Sequence, residues 1–140
     1  MKKVSAIALS TAMALSMALP SKVNATSRVD QLLSNMSTRQ KITQMLMVDF
    51  RYWDEDLSDG AQTTGHEFTK MNDQVRKIVE DYDFGALIYF AQNIQETEQS
   101  YNLSLAMQKA ATKDGGIPLL ISADQEGGSV YRLGSGTALP

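Results

Sequence analysis

Three observations predict an α/β fold with a parallel sheet. Short apolar runs at 45–50, 84–90 and 117–123 alternate with stretches of helical period. Apolar runs separated by helices of a dozen or so residues read as βα units. The runs do not alternate with polar residues, which is expected of strands buried on both faces by flanking helices. The order predicted is helix, strand, loop, helix, strand, helix, strand. A doubly wound sheet and a (β/α) barrel both fit it.

The first 25 residues stand apart. Lys2 and Lys3 form a short positive start, and residues 4–19 are apolar, broken only by Ser and Thr. Pro20 ends the run, and Val23-Asn24-Ala25 places small residues where a signal peptidase reads. This is the pattern of a secretory leader, with cleavage expected near Ala25 and secretion of the mature chain. The apolar run is shorter than the roughly 20 residues a spanning helix needs, so no stable membrane anchor is expected after cleavage. The chain contains no cysteine, which excludes disulfides, thiolate catalysis and lipid attachment at the leader.

In the mature segment, residues 28–33 start a short helix. Ser37-Thr38-Arg39-Gln40 reads as a capping box, in which the Ser37 hydroxyl accepts from a first-turn amide and Gln40 reaches back. Ile42, Met45 and Leu46 then fall on one helical face. Residues 45–50 either end that helix or supply a buried strand. Residues 51–70 are polar and turn-rich and read as an excursion between elements. Trp53, the only tryptophan, serves there either as a sugar-stacking platform or, the preferred reading, as an anchor of the excursion to the body. His66 lacks the partners of a metal site and reads as a surface residue.

Asn72 or Asp73 caps the next helix, with Val75, Ile78, Val79 and Tyr82 inward. A strand over 84–90 follows. A second amphipathic helix runs from Glu96 or Thr97 to Thr112, with Tyr101, Leu105 and 108–111 on or near its inner face. Gly115-Gly116 stops it and Pro118 cannot continue it. The last strand, 117–123, ends at Asp124.

Composition narrows the function. The whole chain has 13 basic and 16 acidic residues, a net charge of −3. Removal of Lys2, Lys3 and Lys22 with the leader leaves 10 basic residues against 16 acidic ones, a net of −6. That balance argues against a nucleic-acid footprint and against retention on anionic surfaces.

The cluster Asp124-Gln125-Glu126-Gly127-Gly128-Ser129-Val130-Tyr131-Arg132 begins where a buried strand ends. In α/β folds the carboxyl ends of strands hold the ligand. Gly127-Gly128 permits a turn with positive φ and close approach of a ligand. Asp124 and Glu126 offer acceptors, and Arg132 offers five donors in a rigid fork. Caps and solvated turn residues are the competing reading of the two acids. A dinucleotide site is disfavoured, because G-x-G-x-x-G is absent and adjacent acids repel phosphate. Asp124 and Glu126 are two apart, a spacing that points side chains to opposite sides of an extended chain. They are therefore not read as a catalytic carboxylate pair.

Residues 124–128 with Val130, Arg132 and Leu139-Pro140 resemble the D-Q-E-G-G-x-V-x-R…L-P signature of glycoside hydrolase family 3, in its β-N-acetylhexosaminidase branch. Residues 36–46 resemble the family's M-S-x-x-E-K-x-x-Q-M opening, and 85–94 its G-G-x-I-L-F-x-x-N segment. Gln40 replaces the usual acid, and Ser129 stands where arginine is common. The resemblance implies the N-terminal portion of a (β/α)8 TIM-type barrel, incomplete as given. It implies that Asp124 binds sugar hydroxyls and that Arg132 supports that loop or the substrate. The full enzyme would release terminal β-linked N-acetylglucosamine with retention, through a covalent glycosyl-enzyme, without metal or organic cofactor. The family's nucleophile and acid/base motifs lie beyond residue 140. A barrel takes at least about 200 residues, so the isolated chain is expected neither to fold stably nor to turn over substrate. A secreted carbohydrate-binding remnant without catalysis, a β-glucosidase-type hydrolase and an unrelated α/β binding protein are the alternatives.

Overall fold

A computed structural model describes residues 25–53 and 65–134. The leader at 1–24, the middle of the excursion at 54–64, and Leu139-Pro140 lie outside the described residues. The chain divides into two units, residues 1–34 and 35–140. The described part of the first is essentially helix α1 (Ala25–Asn35), on which Val29, Leu32 and Leu33 are exposed.

The second unit follows the predicted order: α2 (Thr38–Thr43), β1 (Met47–Val48), α3 (Asp73–Tyr82), β2 (Ala86–Tyr89), α4 (Thr97–Ala111) and β3 (Leu120–Ala123). The strands form one parallel sheet in the order β1-β2-β3. Met47, Ala86 and Leu120 lie in register, as do Val48, Leu87 and Ile121. Side chains alternate across a strand. Val48, Leu87, Tyr89, Ile121 and Ala123 therefore face the helices, where they pack with Val75, Val79, Leu103, Met107 and Ala110.

The other face of the sheet differs from expectation. Leu120 is 67% exposed and Met47 49% exposed, and only β2 is largely buried on both faces. Among the described residues β1 and β3 are edge strands, and no helix of the second unit covers this second face.

The capping box is present. The Gln40 amide donates to the Ser37 hydroxyl at 3.2 Å, and the Ser37 amide donates to Gln40 Oε1 at 3.0 Å. The apolar face expected after it is not buried: Ile42 and Leu46 are exposed, and Met45 is 77% exposed. α2 ends at Thr43, so Met45 and Leu46 sit in a turn and share no helical face with Ile42. Asn72 caps α3 by accepting from the Val75 amide at 2.8 Å. Val75 and Val79 are buried, whereas Tyr82 is exposed and stacks on Phe84. α4 buries Leu103, Met107, Ala110 and Ala111, while Tyr101 and Leu105 point outward. α4 carries two apolar stripes about 200° apart at 100° per residue, and the longer one wins the core.

Two polar devices fix the strands. The Gln108 side chain brackets Leu119, donating to its carbonyl at 2.8 Å and accepting from its amide at 3.0 Å. Gly85 lies against α2: a Cβ there would come within 1.8 Å of the Gln44 carbonyl oxygen. Only glycine lets β2 start so close to the preceding turn.

Tyr89 is buried beneath α4, and Ser104 Oγ donates to its hydroxyl at 3.4 Å. Burial pushes the Tyr89 phenol above its usual range, and the bond from Ser104 opposes this more weakly. The folded state therefore holds this proton more tightly than the unfolded state. The resulting stability is complete below the ordinary phenol pKa of about 10 and is lost as pH rises through the folded value. In a chain of the relatives' length, denaturant midpoints measured up to about pH 11 should fall more steeply for the unaltered protein than for Tyr89→Phe.

Candidate functional site

Because the three strands are parallel, their carboxyl ends share one edge of the sheet. Asp49 follows β1, Phe90 follows β2 and Asp124 follows β3. The predicted excursion starts and ends at this edge. Its base is a short antiparallel stem: Tyr52 pairs with Glu67, the Trp53 amide donates to the His66 carbonyl at 2.9 Å, and the Phe68 amide donates to the Arg51 carbonyl at 3.0 Å. Trp53 packs edge-on against Phe50 with ring centroids 5.8 Å apart, and its indole N–H donates to Gln74 Oε1 at 2.8 Å. These contacts support the anchoring reading of Trp53. His66 is exposed.

Asn93 joins the stem to the sheet. It lies in a 3₁₀ turn after β2 and is 1% exposed. Its Nδ2 donates to the carbonyls of Phe50 at 2.8 Å and Phe68 at 2.9 Å, and its Oδ1 accepts from the Phe90 amide at 2.9 Å. One side chain thus ties the ends of β1 and β2 to the returning limb of the stem. Gln99 adds a second tie, donating to the Thr69 carbonyl at 2.6 Å and the Asn93 carbonyl at 3.1 Å.

Asp124 is half-buried at the end of β3, and its carboxylate has no hydrogen-bond or ion-pair partner among the described residues. Gly127 and Gly128 have φ of 81° and 57°, left-handed values that favour glycine. The turn they make closes through Glu126 N–H to the Val130 carbonyl at 3.0 Å and Val130 N–H to the Gly127 carbonyl at 3.2 Å. Glu126 is exposed on this turn. Gln125 latches the returning chain: its Oε1 accepts from the amides of Arg132 at 2.8 Å and Leu133 at 3.1 Å. Arg132 is half-buried, and its Nε is buried without a hydrogen-bond partner. Among the described residues, the structure therefore places a carboxylate without a partner and an arginine whose Nε has none on one loop at the strand ends.

Sequence reasoning passed over a second pair at the same edge. Arg51 Nε meets Asp49 Oδ1 at 3.2 Å, and the guanidinium lies 3.4 Å above the centre of the Phe90 ring. Its two terminal nitrogens have no acceptor among the described residues. The signal lay in the charges flanking the end of the first apolar run, at Asp49 and Arg51. No group of three or more metal-ligating side chains converges among the described residues.

The family model described as the glycosyl hydrolase family 3 N-terminal domain matches residues 37–140. The chain belongs to this family. Two relatives carry hexosaminidase names. "Beta-hexosaminidase A" of Pseudoalteromonas piscicida is 35% identical over 99 residues, 70% of this chain and 17% of that protein. "Beta-hexosaminidase" of Photobacterium profundum is 38% identical over 64 residues, 46% of this chain and 18% of that protein. Among solved structures, a family 3 β-N-acetylglucosaminidase from Paenibacillus sp. str. FPU-7 superposes with a TM-score of 0.58 at 33% identity, covering 75% of this chain and 17% of that one. A fungal multi-domain family 3 β-N-acetylglucosaminidase gives 0.57 at 30% identity, covering 74% and 11%. The family 3 chain thus spans less than a fifth of these relatives.

Proposed function

We propose that this family 3 chain supplies the first strands and a sugar-binding loop of a retaining glycosidase that releases terminal β-linked N-acetylhexosamine. The observation that carries the reading is the Asp124 carboxylate, without a partner among the described residues, at the carboxyl end of a parallel strand, within the segment matched by the family. A buried or half-buried charge without a protein partner is costly, and sugar hydroxyls are the donors that would satisfy it. Arg132 supplies donors to substrate ring oxygens or to the carbonyl of an N-acetyl group. No cofactor enters this chemistry.

The barrel is part of the proposal. Among the described residues the sheet has two unpaired edges, β1 and β3, and an apolar second face carrying Met47 and Leu120. A sheet closed on itself pairs both edges and covers that face. Export follows from the leader-like first 25 residues.

Catalysis is proposed for a chain of the relatives' length, with the nucleophile and acid/base supplied beyond residue 140. With 4-methylumbelliferyl N-acetyl-β-D-glucosaminide, that longer protein should turn over and should discriminate against the corresponding β-glucoside. Residues 26–140 alone should give no turnover above a blank. Turnover by the short chain, or preference of the long one for the glucoside, would sink the reading.

A further inference from the structure

An open groove lies where α3 and α4 meet, beside the returning limb of the stem. Its volume is about 530 Å³, within the size range of small-molecule sites. Its floor is apolar, built by Met71, Leu103 and Ala106. Leu103 is 2% exposed and belongs to the core beneath, so the reachable apolar surface is that of Met71 and Ala106, both half-buried. The rim is cationic: Lys70 and Arg76 line it, Asn102 adds an amide, and no acidic side chain is among the lining residues. Arg76 makes one ion pair, to a well-exposed Asp73 at 3.2 Å, and Lys70 has no ion-pair partner among the described residues. Two cations over an apolar floor are unusual in a chain of net charge −3. The wall is also rigid, since Gln99 ties the Thr69 carbonyl to α4 with its amide already committed.

We propose that this groove binds a small amphiphilic carboxylic acid, its apolar body on Met71 and Ala106 and its carboxylate between Lys70 and Arg76. Charge complementarity selects the headgroup: a carboxylate there gains charge-assisted hydrogen bonds from both cations. A neutral amide of the same length buries the same apolar surface without that gain. The groove shares no residue with the Asp124 loop, so the inference stands independently of the glycosidase reading.

Calorimetric titration of a chain of the relatives' length with octanoate, against octanamide as the neutral isostere, tests it. The expected result is saturable binding of octanoate at one site, at least ten-fold tighter than octanamide and weakened by added salt. Lys70→Glu, an exposed substitution, should weaken octanoate ten-fold or more. Ala106→Trp should abolish binding by filling the floor. Circular dichroism melts serve as the control that each variant is folded. Absence of saturable binding overturns the proposal. So does equal affinity for acid and amide. Binding that survives both substitutions in folded protein also overturns it, because the ligand then sits elsewhere, as on the open face of the sheet.

Discussion

In a chain of the relatives' length, Asn93→Ala should destabilise the fold more than any other single side-chain truncation near the strand ends. The side chain is 1% exposed and satisfies three backbone groups from three separate segments: the carbonyls of Phe50 and Phe68 and the amide of Phe90. Alanine leaves all three without a partner in the interior. Each orphaned buried group costs roughly 1–3 kcal/mol. Partial relaxation and water entry make the sum sub-additive, so the net loss is about 3–5 kcal/mol. For a domain of this size that lowers the melting temperature by roughly 10 °C or more. Trp53 reports on the same event, because it stands on the stem that Asn93 holds. Its native-state fluorescence should shift before global unfolding. Gln92→Ala removes only the bond to the Tyr52 hydroxyl at 3.1 Å and should cost no more than about 1 kcal/mol. A melt of Asn93→Ala close to that of Gln92→Ala would show that the stem is held by packing of Phe50 and Phe68 instead.

Asn93 also shows where legibility in the sequence stopped. The parallel sheet, the order of elements, the Ser37 capping box and the Asn72 cap all follow from local signals: apolar period, turn residues and cap chemistry within a few positions. The identity of the inner face of α4 does not. Tyr101 and Leu105 form one plausible stripe and Leu103, Met107 and Ala110 another, and only the facing β2 and α3 decide between them. The exposure of Met45 and Leu46 has the same origin, since the end of α2 is fixed by the contact of Gly85 with Gln44, about 40 residues apart. At the site, Asp124 and the Gly127-Gly128 turn were readable because a polar cluster follows an apolar run. The bonds of Asn93 and the stacking of Arg51 on Phe90 join residues distant in sequence. No local pattern encodes them. Gln125 illustrates a third kind of miss: set between two acids, it reads as a companion residue, yet its carbonyl holds the returning chain that carries Arg132.

In a chain of the relatives' length, Asp124→Ala should abolish most N-acetylglucosaminidase activity while leaving the fold as stable as before. The two halves of this expectation share one cause. The Asp124 carboxylate has no hydrogen-bond or ion-pair partner among the described residues. Nothing in the fold loses a bond when it is removed, and relieving a half-buried unpaired charge is neutral or mildly stabilising. A residue kept for structure has the opposite signature, as at Asn93. If the carboxylate instead accepts from substrate hydroxyls, each charge-assisted bond is worth about 1.5–3 kcal/mol. Losing two lowers kcat/KM by roughly 10²–10⁴-fold. Asp124→Asn keeps the shape and one acceptor oxygen but not the charge, and should fall between alanine and the unaltered protein. Glu126→Gln, on the exposed side of the turn, should change kcat/KM by less than about three-fold, since solvent already satisfies that carboxylate. Gln125→Ala separates position from contact: it frees the amides of Arg132 and Leu133, so activity and melting temperature should fall together. If Asp124→Ala instead lowers stability and spares turnover, the carboxylate serves the loop and not the sugar. The substrate contacts would then have to come from Arg51 and its neighbours at the same strand ends.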